Sequence, residues 1–438
     1  MIEERERAGA YRFTHAMMQE TLLSELSTTR RVRLHGRIGE AMEAIFGPER
    51  AERRAAELAN HFVESATLTK DHAVKGARYS RLAGEQADAA TAPVEAARHY
   101  RACLTLVDEA EDGLGEDEAA LRTSLGRCLR LAGEYREAWR NLMRAIRMHH
   151  EQGDRVRMAK TTLEALLVLA PPDRQRGLVD EALGFLGDAD PYLEAQLLVR
   201  QARVTEQAGE TDRRSLDRAD ELANAHGFED VRGGVLRIEA QRAADDLDID
   251  RAIALSREAL EIFDRLDNRQ LASDVRFVLT RILLFAGDLD EAQAALEEAI
   301  EHATRSHIRW TMNVFYSFLA GIHLARCDFN RFETAIAGVT GVMYMAEFLL
   351  VSRAEIAGDT ARAVELLPPA SIAAGVPVDV AQVRGGRART LFNAGDRDGA
   401  LTEFQAWVDA HGLLIGHRLF HVFSLSCIGE CLPVFGDD

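Results

Sequence analysis

Apolar residues recur every three to four positions along most of this chain, and short polar breaks separate these stretches. Such spacing is typical of amphipathic α-helices. The breaks share one pattern, clearest at residues 286–292, which read Ala-Gly-Asp-Leu-Asp-Glu-Ala. Glycine suits the left-handed residue after a helix end, and acidic residues suit the cap and first turn of the next helix. Each break therefore predicts a helix stop followed at once by a helix start.

This break returns at intervals of roughly 38 residues, which is a helix-pair period slightly longer than that of a tetratricopeptide repeat. We place its glycine position at Thr91, Gly133, Pro172, Gly209, Leu247, Gly287, Cys327, Gly358, Gly395 and Gly436. Mostly small residues stand seven positions before it and five after it, which would let the two helices of a pair nest. The interval before Gly358 is the shortest and predicts a shortened helix near Gly338.

One such pair cannot bury its own apolar face, so neighbouring pairs must stack. We therefore predict an all-α protein, a right-handed α-solenoid of tetratricopeptide-like helix pairs over residues 69–438. The prediction is about nine pairs, with the last one truncated. The composition agrees, because the 438 residues are rich in Ala, Leu, Arg and Glu and only 6% are aromatic.

Residues 1–68 follow a different pattern. Residues 11–13 alternate like a very short strand, and residues 16–26 have helical spacing. A helix is predicted from Arg30 to Phe46, broken by Gly47-Pro48. Its apolar face is predicted to comprise Val32, Leu34, Ile38, Met42 and Ile45. A further helix is predicted over residues 49–64, with Ala55, Leu58, Ala59 and Phe62 pointing inward.

Three segments of this region carry a resemblance to a known family. Residues 11–22 read YRFTHAMMQETL, residues 30–38 read RRVRLHGRI, and residues 57–62 read ELANHF. In this order they resemble bacterial signal-transduction ATPases of the STAND type, which include LuxR-type regulators and predicted ATPases fused to adenylate-cyclase domains. The resemblance covers about the first 105 residues. It implies that residues 1–68 are the winged-helix-like end of an ATPase arm that leads into a helical-repeat sensor.

The family's phosphate-binding loop and C-terminal helix-turn-helix have no counterpart here. The pattern G-x-x-x-x-G-K-[ST] does not occur in the sequence, so ATP binding is not carried over. An ATPase module encoded upstream is one expected partner. Because the chain starts within the winged-helix resemblance and stops after Gly436-Asp437-Asp438, where a helix should begin, we expect it to be a segment of a longer protein.

The formal net charge of -18 argues against a large nucleic-acid surface. There is no apolar run of membrane-spanning length and no secretory signal, and five scattered cysteines suit a reducing compartment. We therefore expect a cytoplasmic protein. Cys427 and Cys431 are spaced as a metal pair or as two core residues, and the core interpretation is preferred because no second Cys/His pair has fitting spacing. We expect no metal, cofactor or catalytic residue, and we interpret His15 as a capping or packing residue.

The first helix of each pair is expected to line the concave face of the solenoid, where partners bind. The position six before the turn carries Glu85, Arg127, Leu166, Arg203, Gln241, Arg281, Gly321, Ser352 and Arg389 in chain order. Its arginines suggest a basic stripe for a protein partner or an acidic effector. Alternatively, they pair with acidic residues of neighbouring repeats. Phe277, Phe348 and Phe392 lie near the same surface, as an apolar contact patch or as inter-helix packing.

Three functions remain open at this point. The first is a non-catalytic sensor or scaffold arm of a STAND-type ATPase or transcriptional regulator. The second is a free-standing tetratricopeptide adaptor for protein assembly. The third is an enzyme whose site follows no recognised motif, since the sequence has no G-x-S-x-G, H-E-x-x-H or dinucleotide fingerprint.

Overall fold

The computed structural model describes residues 2–4, 11–13, 26–110, 113–168, 172–207, 212–306, 309–340, 344–370 and 377–411. Two compact units divide the chain, Met1–Leu169 and Ala170–Asp438. His15, Gly209, Cys427, Cys431 and Gly436 lie outside the described residues. The predicted boundary at residue 68 stays a prediction.

Unit 1 begins with two three-residue strands and continues in helices. The strands β1 (Ile2–Glu4) and β2 (Tyr11–Phe13) pair antiparallel, with Ile2 opposite Phe13. The helices are α1 (Thr28–Glu52), α2 (Ala55–Glu64), α3 (Lys70–Ala89), α4 (Pro93–Glu109), α5 (Glu118–Leu131), α6 (Tyr135–Glu151) and α7 (Arg155–Ala165), with one 3-10 turn at Gly113–Gly115. The short strand predicted at residues 11–13 is confirmed.

Unit 2 is helical throughout its described residues. Its helices are α8 (Pro172–Leu186), α9 (Pro191–Gln207), α10 (Arg213–His226), α11 (Glu229–Asp245), α12 (Ile249–Arg265), α13 (Arg269–Ala286), α14 (Leu289–Ser306), α15 (Arg309–Ala325), α16 (Phe329–Ala337), α17 (Tyr344–Ile356), α18 (Thr360–Glu365), α19 (Pro377–Asn393) and α20 (Arg397–His411). The B helices α16 and α18 are short. The predicted shortening near Gly338 is thus confirmed.

Within each unit the described helices from α3 onward pack as successive pairs, and predicted turns connect most of them. We call the first helix of a pair its A helix and the second its B helix; by position in the chain the A helices are α3, α5, α7, α9, α11, α13, α15, α17 and α19. The backbone has positive φ at the predicted glycine position in Thr91, Gly133, Leu247, Gly287, Cys327, Gly358 and Gly395. This conformation ends an α-helix and reverses the chain. The helical-repeat fold is therefore confirmed.

The residue that follows this position starts the next helix. The side chains of Asp248, Asp328 and Asp359 each accept a hydrogen bond from the backbone N–H three residues on. Such a bond satisfies one of the free donors of a helix N-terminus. Glu134 occupies the same position before α6 but makes no side-chain cap bond. In these breaks, the acidic residue therefore caps the following helix when it is an aspartate.

Small residues let the two helices of a pair approach, as the spacing predicts. A Cβ atom on Gly84 would lie 2.8 Å from the Tyr100 ring, and one on Gly126 would lie 2.5 Å from Leu142 Cγ. Tyr100 is 2% exposed and Leu142 is fully buried. Five positions after the turn, Ala96, Ala138, Ala252, Ala292, Ala363 and Ala400 are all buried. Within each unit, buried residues at these positions therefore form the contacts between paired helices.

The predicted apolar face of α1 is confirmed for Met42, which packs against the core cluster that contains Phe62, and is wrong for three of its other residues. Leu34, Ile38 and Ile45 are 40%, 41% and 74% exposed. The buried residues of this side of the core are instead Gly36 and Gly39, where a Cβ would collide with His72 and with Phe62. Apolar spacing alone could not distinguish the two faces, because glycine contributes no apolar side chain to the pattern. The inward residues predicted for α2, which are Ala55, Leu58, Ala59 and Phe62, are confirmed as buried.

The helix break predicted after Phe46 is present as a kink within α1. Gly47 has a φ of 69° and interrupts the helical geometry within α1. Helical geometry resumes after Gly47, near the predicted start at residue 49, but it ends at Glu52 and a separate helix begins at Ala55. In the described part of the chain, we find no helix long and apolar enough to span a bilayer.

Candidate functional site

The predicted binding residues lie on the A helices, and the structure separates them by what they contact. Arg127 is on α5, Arg203 on α9, Gln241 on α11, and Arg281 with Phe277 on α13. Phe348 is on α17, and both Arg389 and Phe392 are on α19. Gln241 is 7% exposed, and the others are partly buried.

Two of the arginines make the same contact in two different units. Arg127 of α5 pairs with Asp88, which lies three residues before the turn of the preceding pair. Arg389 of α19 pairs with Glu355, again three residues before the preceding turn, at 3.0 Å. Thr390 Oγ1 donates a second bond to Glu355 Oε1, at 2.9 Å. These two arginines therefore join successive A helices. This agrees with the alternative prediction that the arginines pair with acidic residues of neighbouring repeats.

The electrostatics of α5 agree with a structural role. Burial lowers the pKa of the Arg127 guanidinium, but the Asp88 carboxylate outweighs that effect and the net pKa is raised. Burial also raises the pKa of the neighbouring Cys128 thiol to about 12, with Asp88 adding to the rise. A thiol with this pKa is protonated at neutral pH, so Cys128 is not an activated nucleophile.

Arg281 of α13 contacts an aromatic ring. Three residues before the preceding turn, α11 carries Ala244, and Asp245 follows it. The Arg281 guanidinium carbon lies 5.4 Å from the centre of the Phe277 ring, a distance typical of cation–π contacts. Phe277 in turn packs against Phe318 of α15, with ring centres 5.7 Å apart. A cationic and aromatic patch thus extends from α13 to α15.

Polar residues flank this patch on the side of α9 and α11. Arg203 Nη1 of α9 lies 3.6 Å from Asp274 Oδ2 of α13, although α11 separates these helices along the chain. Both side chains remain about one-third exposed, at 32% and 39%. Gln241 of α11 donates to Asp245 of the same helix at 3.4 Å. We name Arg203, Gln241, Asp274, Phe277, Arg281 and Phe318 the α13 surface.

The two remaining phenylalanines do not join this surface in the described contacts. Phe348 of α17 packs against α19, because a Cβ on Gly386 would lie 2.7 Å from its ring. This contact supports the packing alternative for Phe348. Phe392 is partly buried near the C-terminus of α19, and its role as a binding residue stays a prediction.

The described residues offer little for catalysis or metal binding. Within them no three His, Cys, Asp or Glu side chains converge in a way that could hold a metal ion. The aspartates at residues 245–250 form a turn, in which Leu247 has a φ of 63° and Asp248 caps α12. The chemistry of the α13 surface is instead that of recognition, with one cation on an aromatic face beside a polar pair.

Sequence reasoning missed Asp274 and Phe318. Asp274 stands seven residues before Arg281, on the same side of the helix after about two turns. Phe318 stands nine residues before the turn at Cys327, so it is displaced by one position from Phe277, which stands ten before Gly287. A search for aromatic residues one helical position to either side could have found Phe318.

Neither the protein-family models nor the curated proteins include a match to this chain. Among solved structures, one similar chain is a STAND protein with a tetratricopeptide repeat sensor from Pyrococcus horikoshii. It has 16% sequence identity and a TM-score of 0.40, and the match covers 82% of this chain and 58% of that chain. The present chain thus spans little more than half of the archaeal protein.

Two further similar structures are matched over almost their whole length. The apo form of the quorum sensor NprR from B. thuringiensis has 10% identity and a TM-score of 0.45, with 90% of this chain and 99% of that chain covered. Yeast Tom70 has 12% identity and a TM-score of 0.44, with 94% and 91% covered.

Proposed function

We propose that this chain is a non-catalytic binding module, and that the α13 surface receives a protein segment carrying an acidic and an apolar side chain. The observation that supports this most strongly is the pair of partly buried rings of Phe277 and Phe318, whose centres are 5.7 Å apart. The Arg281 guanidinium carbon lies 5.4 Å from the centre of the Phe277 ring.

The proposed segment follows from the chemistry of the surface. A carboxylate would pair with the Arg281 guanidinium, whose planar donors suit carboxylate oxygens. An apolar side chain would pack on Phe277 and Phe318, which are only partly buried. Gln241 and Asp274 would bond to backbone groups of the segment.

We further propose that this module belongs to a signal-transduction ATPase. It rests on the resemblance of residues 11–22, 30–38 and 57–62 to the arm of STAND-type ATPases. The module would bind its segment and thereby restrain or release an ATPase encoded upstream. Titration with ATP should then give no saturable binding to this chain, and tight ATP binding would contradict the proposal.

A free-standing adaptor is the second candidate, because the same surface could serve protein assembly. A pull-down from the native organism separates the two. The ATPase-arm proposal predicts an ATPase or a transcription factor among the bound proteins, and the adaptor predicts other partners.

The binding proposal itself is tested with a peptide array that varies one acidic and one apolar position. The purified full chain should select peptides with both, and Arg281→Glu should weaken the best peptide at least tenfold. The matched control is Arg136→Glu, since Arg136 is exposed on α6 in unit 1. Melting curves must show that each variant is folded. Equal losses in both variants, or none in Arg281→Glu, would reject the α13 surface as the site.

A further inference from the structure

The outward side of α1 is the most unusual exposed surface among the described residues. Leu34, Ile38 and Ile45 are spaced i, i+4 and i+11, so they fall within about 40° of one another around the helix. They are 40%, 41% and 74% exposed. We call these three residues the α1 stripe, and it extends for about 16 Å along the helix axis.

This stripe does not belong to the core of unit 1. The opposite side of α1 already packs on the neighbouring helices, since Gly36 meets His72 of α3 and Gly39 meets Phe62 of α2. The helix is thus apolar on one side and close-packed on the other. For comparison, the outward side of α2 carries Glu57, Asn60 and Glu64, as expected for a solvated helix.

Basic side chains flank the stripe. Residues 26–39, which include Leu34 and Ile38, contain four arginines and no acidic residue, in a chain whose net charge is -18. Glu40 and Glu43 stand nearer to Ile45, so the basic flank covers the N-terminal part of the stripe. Arg31 lies 3.9 Å from Glu64. Arg30, Arg33 and Arg37 are exposed and make no ion pair among the described residues. They are spaced i, i+3 and i+7, which places them along one edge of the stripe.

We propose that the α1 stripe docks an acidic amphipathic helix from a partner protein. Apolar side chains of that helix would cover Leu34, Ile38 and Ile45, and its carboxylates would pair with Arg30, Arg33 and Arg37. Charge complementarity selects this occupant, because three exposed arginines beside an apolar stripe call for acids beside apolar residues. The proposal is independent of the α13 surface, which lies in unit 2.

Other occupants fit less well. A nucleic acid would use the arginines but would leave the apolar stripe uncovered. An anionic membrane would attract the arginines, but it would repel the chain as a whole, because the net charge of the chain is negative. The small apolar area predicts a weak and salt-sensitive complex rather than a permanent one.

The test uses the full chain and two synthetic 16-residue helical peptides. Both have leucine at positions 2, 6, 9 and 13; one has glutamate on the flanking positions and the other has lysine. Fluorescence anisotropy should show binding of the acidic peptide only, weaker at about 300 mM than at about 50 mM salt. Arg33→Glu with Arg37→Glu should reduce its affinity at least tenfold. Leu34→Ser with Ile38→Ser should do the same without changing the charge.

The matched control is Arg136→Glu with Arg140→Glu, two exposed arginines of α6. An equal loss in this control, or equal binding of both peptides, would overturn the proposal. Carbene footprinting that finds Leu34 and Ile38 protected before peptide is added would also overturn it, because the chain would then cover its own stripe. Two further results would overturn the proposal. One is self-association of the chain that the double variant Leu34→Ser with Ile38→Ser abolishes. The other is binding to phosphatidylserine vesicles that depends on Arg33 and Arg37.

Discussion

Helices α5 and α13 occupy the same place in their pairs, but their polar groups are used differently. Eleven residues before the turn, α5 carries Arg122 and α13 carries Arg276, and both are almost fully buried, at 7% and 1% exposure. The guanidinium of Arg122 uses all three nitrogens. It donates to Glu118 from Nε, to Asn141 from Nη1 and to Asp108 from Nη2, at 2.6, 3.2 and 2.6 Å.

Arg276 uses one nitrogen. Its Nη2 lies 3.1 Å from Asp264 and 3.0 Å from Glu298. Its Nε and Nη1 are buried and have no hydrogen-bond partner among the described residues, as are Ser273 Oγ and Thr280 Oγ1 on the same helix. A buried donor without a partner costs free energy. Among the described residues, α5 satisfies the guanidinium of Arg122 and leaves only Arg130 Nε buried without a hydrogen-bond partner, whereas α13 leaves several buried polar atoms without one.

Replacing the two arginines with methionine should give the largest difference. Arg122→Met leaves Asn141, which is 8% exposed, and Glu118, which is 24% exposed, without their shared donor, and this should lower the free energy of unfolding by about 3 kcal/mol. Arg276→Met should change it by less than about 1 kcal/mol, because Asp264 and Glu298 are 45% and 55% exposed and can be hydrated. Hydrogen exchange of residues 118–131 and 269–286 measures each helix separately. Equal effects would remove the distinction between α5 and α13.

The second difference lies seven residues before the turn, where α5 has Gly126 and α13 has Thr280. Gly126→Ala places a methyl group 2.5 Å from Leu142 Cγ, so it should destabilise unit 1 by about 2 kcal/mol. The control is Gly177→Ala in α8, where no atom lies within 4 Å of the added Cβ. That change should stabilise its helix by up to about 1 kcal/mol. If both substitutions act alike in thermal unfolding, close approach at Gly126 is not what holds α5 to α6.

The sequence predicted this architecture because the turn and the nesting positions are local and recur. A left-handed residue and a small residue seven positions before it recur even where the glycine is replaced by Thr91, Leu247 or Cys327, and a capping aspartate follows the last two. The surface of each pair was harder to predict. Arg127 and Arg389 join two helices through an acidic residue three positions before the preceding turn, so their contacts depend on a residue one pair earlier in the chain.

The α1 prediction was wrong at Leu34, Ile38 and Ile45 for a related reason. Apolar spacing indicates that a helix has an apolar side, but it does not say which side meets its neighbours. Gly36 and Gly39 direct the packing of α1 by allowing Phe62 and His72 to approach. A glycine pair three residues apart contributes nothing to an apolar pattern and yet determines which face can be buried.

Thr280→Val tests the unsatisfied hydroxyl of α13 directly. Valine has the same shape without the hydroxyl, so the substitution should raise the free energy of unfolding by about 1 kcal/mol. The matched control is Thr161→Val in α7, because Thr161 is 1% exposed and its Oγ1 lies 3.1 Å from Thr123 Oγ1. This control should be destabilising. The opposite order of the two variants would show that Thr280 is satisfied in solution.

The smallest expected effect concerns pH and the B helices that follow α5 and α13. His149 near the end of α6 corresponds to Ala303 in α14, since each stands sixteen residues after its turn. Burial lowers the pKa of His149, and Arg157 lowers it further. Its folded-state pKa is therefore below the ordinary value near 6.5, and the unfolded chain binds the proton first. The contribution of neutral His149 to the free energy of unfolding is therefore complete above about pH 6.5 and is lost as the pH falls below that value.

Acidification from about pH 7.5 to about pH 5.5 spans this window and lies above the range in which the nearby Asp117 and Asp154 take up protons, because their pKa values are lowered. Hydrogen exchange corrected for its intrinsic pH dependence should show residues 135–151 losing protection relative to residues 289–306. His149→Asn should reduce this difference, since asparagine does not titrate. Equal loss in both helices, or a loss that persists in His149→Asn, would assign the pH dependence to other groups and leave the two B helices electrostatically equivalent.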